Sequence, residues 1–113
     1  MGNVIRVSGV IGSGASYAVP AGVALSGVVS IGRNALRGAS ATTGLNYSVA
    51  IGQNASQLLT SGAGNISIGY DALGGSVAGG EFNVAVGNYT LDALTSGDNN
   101  TALGYAAADA TTT

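Results

Sequence analysis

The stretch YSVAIGQNAS, residues 47–56, is soon followed by NISIGYDALG, residues 65–74. Both contain a β-branched residue, a small residue, a second β-branched residue, a glycine, two variable residues and an alanine. A short phrase that recurs along a chain indicates a repeat architecture, in which each copy is one unit of a stack. The repeat is therefore the first guide to the fold.

The phrase occurs five times when its copies are aligned on the glycine. The spacings between these glycines are 20, 17, 18 and 17 residues, and a degenerate earlier copy ends at Gly12. Asparagine recurs four residues before the glycine, at Asn65, Asn83 and Asn100. Because Asn side chains bond turn backbone, this column predicts a turn ladder. The glycines themselves are expected to turn the coil: Gly32, Gly52, Gly69, Gly87 and Gly104.

The phrase has the period of a β-strand, since large and small residues alternate and must point to opposite faces. Repeated glycines argue against a helix, where each costs about 1 kcal/mol relative to Ala. We expect the large residues to form the core ladder: Ile31, Ile51, Ile68, Val86 and Leu103. A coil of this length has room for two short strands and two turns. The sequence thus predicts an all-β, parallel β-roll or β-solenoid of about five coils.

The opposite face of the strand carries only small residues. A solitary roll would be expected to place charged or long polar side chains outside, whereas small residues permit another backbone to approach. Identical chains most often assemble with closed cyclic symmetry. We therefore expect this face to contact other copies of the chain: Ser30, Ala50, Ser67, Ala85 and Ala102.

Composition narrows the possible functions of this 113-residue chain, whose length suits one domain. Charged residues make up 7%, and only three are basic, too few for a nucleic-acid groove. There is no His, Cys or Lys, and the five acids are scattered, so we expect no catalytic site, metal or cofactor. The uncharged run 7–32 is broken by Pro20 and by several Gly and Ser residues, which argues against a membrane span.

Several stretches carry a family resemblance: NYSVAIG (46–52), GYDAL (69–73), NVAVG (83–87) and NNTALGY (99–105). They resemble the head repeats of trimeric autotransporter adhesins and, more closely, the N-T-A-x-G-Y-x-A-L repeats of bacteriophage tail fibres and related virion proteins. The resemblance covers residues 28–110 and implies a left-handed parallel β-roll assembled as an intertwined or side-by-side homotrimer. Adhesin head repeats are usually shorter, and the neck, stalk and membrane anchor of adhesins are not visible in this sequence.

Three regions follow from this organisation. Residues 1–27 form an N-terminal cap or docking segment, with short strands at Val4–Val7 and 17–20; residues 28–110 form the β-roll repeat domain; residues 111–113 are a short tail. We expect a non-enzymatic virion structural protein on the particle surface, a capsid decoration protein or short fibre that contacts other virion proteins through its N-terminal segment. The alternative is a host-receptor-binding tail fibre or a bacterial adhesin head, with tyrosines such as Tyr70 and Tyr105 exposed to host glycans.

Overall fold

The computed structural model describes residues 4–7, 27–37, 47–59, 62–75 and 80–110. Its only regular elements in those ranges are six parallel strands in one sheet, and each strand pairs with the next along the chain. The strands are β1 (Val4–Val7), β2 (Val28–Ile31), β3 (Val49–Ile51), β4 (Ile66–Ile68), β5 (Val84–Val86) and β6 (Thr101–Leu103). The predicted all-β, parallel class is confirmed.

The strands stack in the register of the sequence repeat. For example, Ala50 lies opposite Ser67, which lies opposite Ala85. Because neighbouring strands are parallel and consecutive, the chain must return to the same end after each strand, and the result is a β-solenoid. About three turns can be followed, from β3 to β6. The predicted number of coils was larger, about five, and the returns before β3 lie mostly at 8–26 and 38–46, outside the described residues.

After each repeat glycine the chain forms a layer of turns, and in the described ranges no second strand of the kind predicted for each coil is found. Gln57 donates its N–H to the carbonyl of Asn54 over 3.1 Å. Asn54 and Ser56 have positive φ, and they donate their N–H groups to the adjacent coils, at Arg33 O and Ala72 O. A left-handed non-glycine residue costs about 1–2 kcal/mol, and these inter-coil bonds offset that cost. The same alternation recurs at Asn34 and Leu36, Asp71 and Leu73, Tyr89 and Leu91, and Ala106 and Ala108.

The core lies between the sheet and the turn layer, and the turn layer supplies its large side chains. Leu73 and Leu91 are 1% exposed and pack in one cluster with Ala85 of β5. Serines on the inner side of the strands are satisfied: Ser30 Oγ donates to Ala35 O over 3.0 Å. Since the leucines fill the narrow gap, the strand has room only for small residues on its inner face.

The asparagine column forms the predicted turn ladder. Asn65 Nδ2 donates to Gly62 O and Gly80 O, and Asn65 Oδ1 accepts from both the backbone N–H and the Nδ2 of Asn83. Asn83 Oδ1 accepts from Asn100 in the same way, at 2.9 Å for both bonds. Asn65 and Asn83 are 1% exposed, so the ladder satisfies polar groups that water does not reach.

The N-terminal segment contributes one described strand. Val4–Val7 was predicted to be a strand, and β1 confirms it; the strand pairs with β2, with Arg6 at the register position of Ser30. The strand predicted at 17–20, the degenerate repeat at Gly12 and the tail 111–113 lie outside the described residues.

Candidate functional site

The two faces of the strands are oriented opposite to the sequence-based prediction. Ala50, Ser67 and Ala85 are fully buried within a single chain, so these residues cannot contact another copy. Ile68 is 36% exposed and Leu103 is 76% exposed, so these residues do not form a core ladder. Both predicted sets of residues are on the face opposite to the one expected. The residues predicted as trimer contacts are inside: Ser30, Ala50, Ser67, Ala85 and Ala102. The residues predicted as core are half-buried or exposed outside: Ile31, Ile51, Ile68, Val86 and Leu103.

The physical reason for the reversal is the thinness of the coil. Alternation defines two faces of a strand but does not say which one is inside. The useful signal was the apolar pair three and four residues after the glycine, as in Ala72-Leu73. Leu73 is buried although it lies in the turn layer, and it occupies the space that a large inward strand residue would need.

The outer face of β2–β6, together with the aromatic residues at its two corners, is the candidate site, and we call it the apolar strand face. Its strand rungs lie about 4.8 Å apart, and none carries a charged residue. A contiguous, uncharged apolar face is a candidate for an interaction site. The outward strand residues are Val29, Ile31, Val49, Ile51, Ile66, Ile68, Val84, Val86, Thr101 and Leu103.

One corner of this face, just before the strands, carries two exposed aromatic side chains. Tyr47 is 69% exposed and Phe82 is 56% exposed, and both have positive φ. Each covers a glycine of the preceding coil: a Cβ on Gly27 would lie 3.1 Å from Tyr47 Cδ1, and one on Gly64 would lie 2.7 Å from Phe82 Cδ1. The glycines thus make room for aromatic rings at the edge of the face.

The opposite corner, just after the strands, carries a tyrosine ladder formed by Tyr70, Tyr89 and Tyr105. Neighbouring ring centroids are 5.3 Å and 6.0 Å apart, with edge-to-face geometry. The sequence places Tyr89 one residue out of register, yet the structure brings all three rings into one row. The carboxylate of Asp71, and then Tyr89, raise the pKa of the Tyr70 hydroxyl.

The five repeat glycines all have positive φ, between 120° and 132°. They also stack on one another: a Cβ added to Gly69 would lie 2.7 Å from the backbone C and O of Gly87. Among the described residues, a Cβ added to Gly104, in the coil of β6, would meet only Ala107 Cβ at 4.0 Å. The four repeat glycines before Gly104 are therefore required both by conformation and by the close approach of the next coil.

Three of the five acidic residues, Asp71, Asp92 and Asp109, lie close enough for the charges of Asp71 and Asp109 to act on Asp92. Burial raises the pKa of the half-buried Asp92 carboxyl, a bond from the Gly75 backbone lowers it, and the charges of Asp71 and Asp109 raise it further.

In the described part of the chain, no group of three or more His, Cys, Asp or Glu residues could hold a metal ion. Within the same ranges, no helix is long and apolar enough to cross a membrane.

Comparison with known proteins gave no match to any family model, curated protein or solved structure.

Proposed function

We propose that the protein is a non-enzymatic structural protein that assembles through the apolar strand face into a homotrimer. The observation that carries the proposal is the uncharged row of outward Val, Ile and Leu side chains, which ends at the largely exposed Leu103. Burying such side chains stabilises an assembly by roughly 25 cal/mol per Å² of apolar surface. The inner column plays no part in the contact, because it is already buried.

The size of the face indicates which residues the interface needs. Five strands present a strip of roughly 10 Å by 24 Å, or about 240 Å². A stable interface buries about 800 Å² per partner. The strip is therefore the centre of the contact, and the aromatic corners, with Tyr47 and Phe82 on one side and the tyrosine ladder on the other, supply much of the remaining area. Aromatic residues are enriched in interfaces of this kind.

The number of copies and the biological setting come from the resemblance of the repeats to phage tail-fibre and adhesin head repeats. On that basis the coil is left-handed, the assembly has three chains, and the protein lies on the surface of a virus particle as a decoration protein or short fibre. The N-terminal segment, residues 1–27, attaches it to other virion proteins. The formal net charge of −2, with three basic residues, supports a partner other than nucleic acid.

Immunogold electron microscopy tests the location. Antibodies raised against the purified protein are applied to virus particles recovered from the organism that encodes the chain. Label on the particle surface is the expected result, and antibody preadsorbed with the protein is the control. Label on the cell envelope, with none on the particles, would overturn the virion assignment in favour of an adhesin head.

The second candidate is a host-binding fibre or adhesin head, which the exposure of the tyrosine ladder favours. Tyr105 is 78% exposed, and tyrosine rings are able to stack on sugars. This function predicts that immobilised host glycans retain the protein and that Tyr105→Ala lowers retention. Tyr47→Ala, at the opposite corner, is the matched control. Equal retention of wild type and both variants, or none, counts against this candidate.

A further inference from the structure

Two rings of the tyrosine ladder, those of Tyr70 and Tyr89, meet across the junction between two coils. Tyr70 directly follows Gly69, after β4, and Tyr89 lies two residues after Gly87, which follows β5. Their ring centroids are 5.3 Å apart, and the ring planes make an angle of 72°. Centroid separations of about 4.5–7 Å are typical of aromatic side chains in direct contact. Two phenol rings that are distant in the sequence therefore touch.

The hydroxyl ends of these two rings also lie close together. The charge of the Asp71 carboxylate, and then that of Tyr89, raise the pKa of the Tyr70 hydroxyl, and side-chain hydrogen bonds with Asp71 and with Tyr89 contribute. In a tyrosine ring, both ε carbons are bonded to the carbon that carries the hydroxyl. Rings whose hydroxyl ends meet therefore bring ε carbons together, and these are the carbons through which oxidised phenols couple.

The backbone holds both tyrosines in place before any reaction. Tyr89 N–H donates to Tyr70 O over 2.8 Å, and Tyr70 N–H donates to Asn88 Oδ1 over 2.9 Å. These bonds join the same two coils that the rings join. Because two groups held in contact react far more readily than two groups that must first meet in solution, a reaction between these rings is favoured within one chain.

Both rings are accessible to a small reagent, since Tyr70 and Tyr89 are each 37% exposed. The third ring of the ladder, Tyr105, lies farther from Tyr89, with centroids 6.0 Å apart. Tyr70 is therefore the nearer partner of Tyr89. Tyr47 lies at the opposite corner of the apolar strand face and is not part of the ladder.

We propose that Tyr70 and Tyr89 form a dityrosine site, at which a one-electron oxidant couples the two rings through a bond between their ε carbons. Each phenol gives one electron to the oxidant and one proton to a base, which for Tyr70 is the Asp71 carboxylate and then water. The two phenoxyl radicals form the carbon–carbon bond, and the hydrogen on each joined carbon is replaced by one on the neighbouring oxygen, which restores the phenols. In balance, the chain loses two hydrogens, and two equivalents of oxidant are reduced.

The new bond staples two consecutive coils to each other. It is independent of the assembly proposed above, because both rings belong to one chain. A cross-link between distant residues restricts the unfolded chain, as a disulfide does. The chain has no cysteine, so coupled tyrosines offer it a covalent link of a kind that disulfides cannot provide here.

Photo-oxidation with tris(bipyridyl)ruthenium and persulfate tests the proposal, because light then generates a small one-electron oxidant. The oxidised protein is unfolded and cut at its acidic residues, since Glu81 lies between Tyr70 and Tyr89, and Asp92 lies between Tyr89 and Tyr105. Mass spectrometry should find the peptides of Tyr70 and Tyr89 joined with the loss of two hydrogens. The linked chains should migrate as monomers on a denaturing gel.

Phenylalanine variants show whether the link depends on the ladder. Tyr89→Phe keeps the ring but removes the phenol, so the link and most of the dityrosine fluorescence should be lost while the circular dichroism spectrum is unchanged. Tyr47→Phe is the matched control, and both it and Tyr105→Phe should keep the link. The proposal is wrong if no dityrosine forms, if Tyr89→Phe forms as much as wild type, or if the main product joins two chains or joins Tyr89 to Tyr105.

Discussion

The inner and outer columns of the same strands have contrasting roles. The inner column is Ser or Ala and is buried by leucines from the turn layer, whereas the outer column is mostly Val, Ile or Leu and is half-buried or exposed in the described chain. In most proteins the larger apolar residue would be expected inside. In this solenoid the space opposite each face decides which residues are inside, because the coil is too thin to hold large side chains from both layers.

The largest expected effect is the difference in folding between arginine variants at two adjacent positions, one on the inner and one on the outer face of β5. Ala85→Arg places a charge in a fully buried position next to Leu73 and Leu91, at a cost of several kcal/mol, which is comparable to the whole stability of a small domain. We expect the variant not to fold. Val86→Arg points outward and should retain the wild-type circular dichroism spectrum. A folded Ala85→Arg protein together with an unfolded Val86→Arg protein would restore the orientation predicted from the sequence.

The glycine between the strand and the turn layer allows a second test, one of stacking. Gly69→Ala combines a φ of 132° with a clash against the backbone of Gly87, whereas Gly104→Ala has a similar φ and open space. Strain of this kind costs about 1–3 kcal/mol, and overpacking adds about 1–3 kcal/mol. Urea denaturation should therefore show Gly69→Ala to be roughly 2 kcal/mol less stable than Gly104→Ala. Equal losses would mean that the coils do not approach as closely as described.

Asparagine substitutions compare a buried polar position with an exposed one. Asn83→Ala removes bonds to the side chain of Asn65, to Gly97 O and to Asn100, and leaves buried groups unpaired. We expect a loss of about 2 kcal/mol in the free energy of unfolding. Asn88→Ala removes one exposed bond, from Tyr70 N–H, and should cost roughly 0.5 kcal/mol. If thermal denaturation ranked the two variants in the opposite order, the asparagine ladder would not be a main support of the coil.

The smallest expected effect is a pH dependence of stability at Asp92, which lies in the turn layer. The pKa of Asp92 is raised in the folded chain, so the folded state binds this proton more tightly than the unfolded chain. Ionised Asp92 therefore lowers the free energy of unfolding when the pH is above its folded pKa. This loss of stability decreases as the pH falls through the folded pKa, and it is absent below the ordinary value of 3.8. Asp92→Asn should gain roughly 0.3 kcal/mol at neutral pH and none in acid. Glu81→Gln, at an exposed carboxylate, is the control. An equal gain in stability for Glu81→Gln would mean that the environment of Asp92 is not the cause of the pH dependence.

Local alternation and repeat spacing were enough to predict the strands, their parallel register and the asparagine ladder. All of these depend on sequence period alone. For example, Ala50, Ser67 and Ala85 occupy the same position of the repeat, and they lie in register on adjacent strands. The turn layer could not be predicted in the same way. Left-handed backbone at Leu73 and Leu91 contradicts local preference and is stabilised by bonds between coils, which no single repeat contains.

The two faces of the strands could be predicted from the sequence, but which face forms the candidate site could not. The sequence shows that each strand has a large and a small face, but the inside depends on how much volume the opposite layer supplies. The row of Tyr70, Tyr89 and Tyr105 was also hidden, because Tyr89 is one position out of register and meets its neighbours only after the turn is formed.

We propose that the outer column, and not the inner one, joins copies of the chain. Light scattering coupled to size-exclusion chromatography tests it directly, by comparing wild type with Val86→Arg and with Leu103→Arg, where the side chain is already largely exposed. We expect three times the mass of one chain for wild type, and the mass of a single chain for at least Val86→Arg, with an unchanged circular dichroism spectrum. A wild-type monomer, or a folded Val86→Arg trimer, would contradict it.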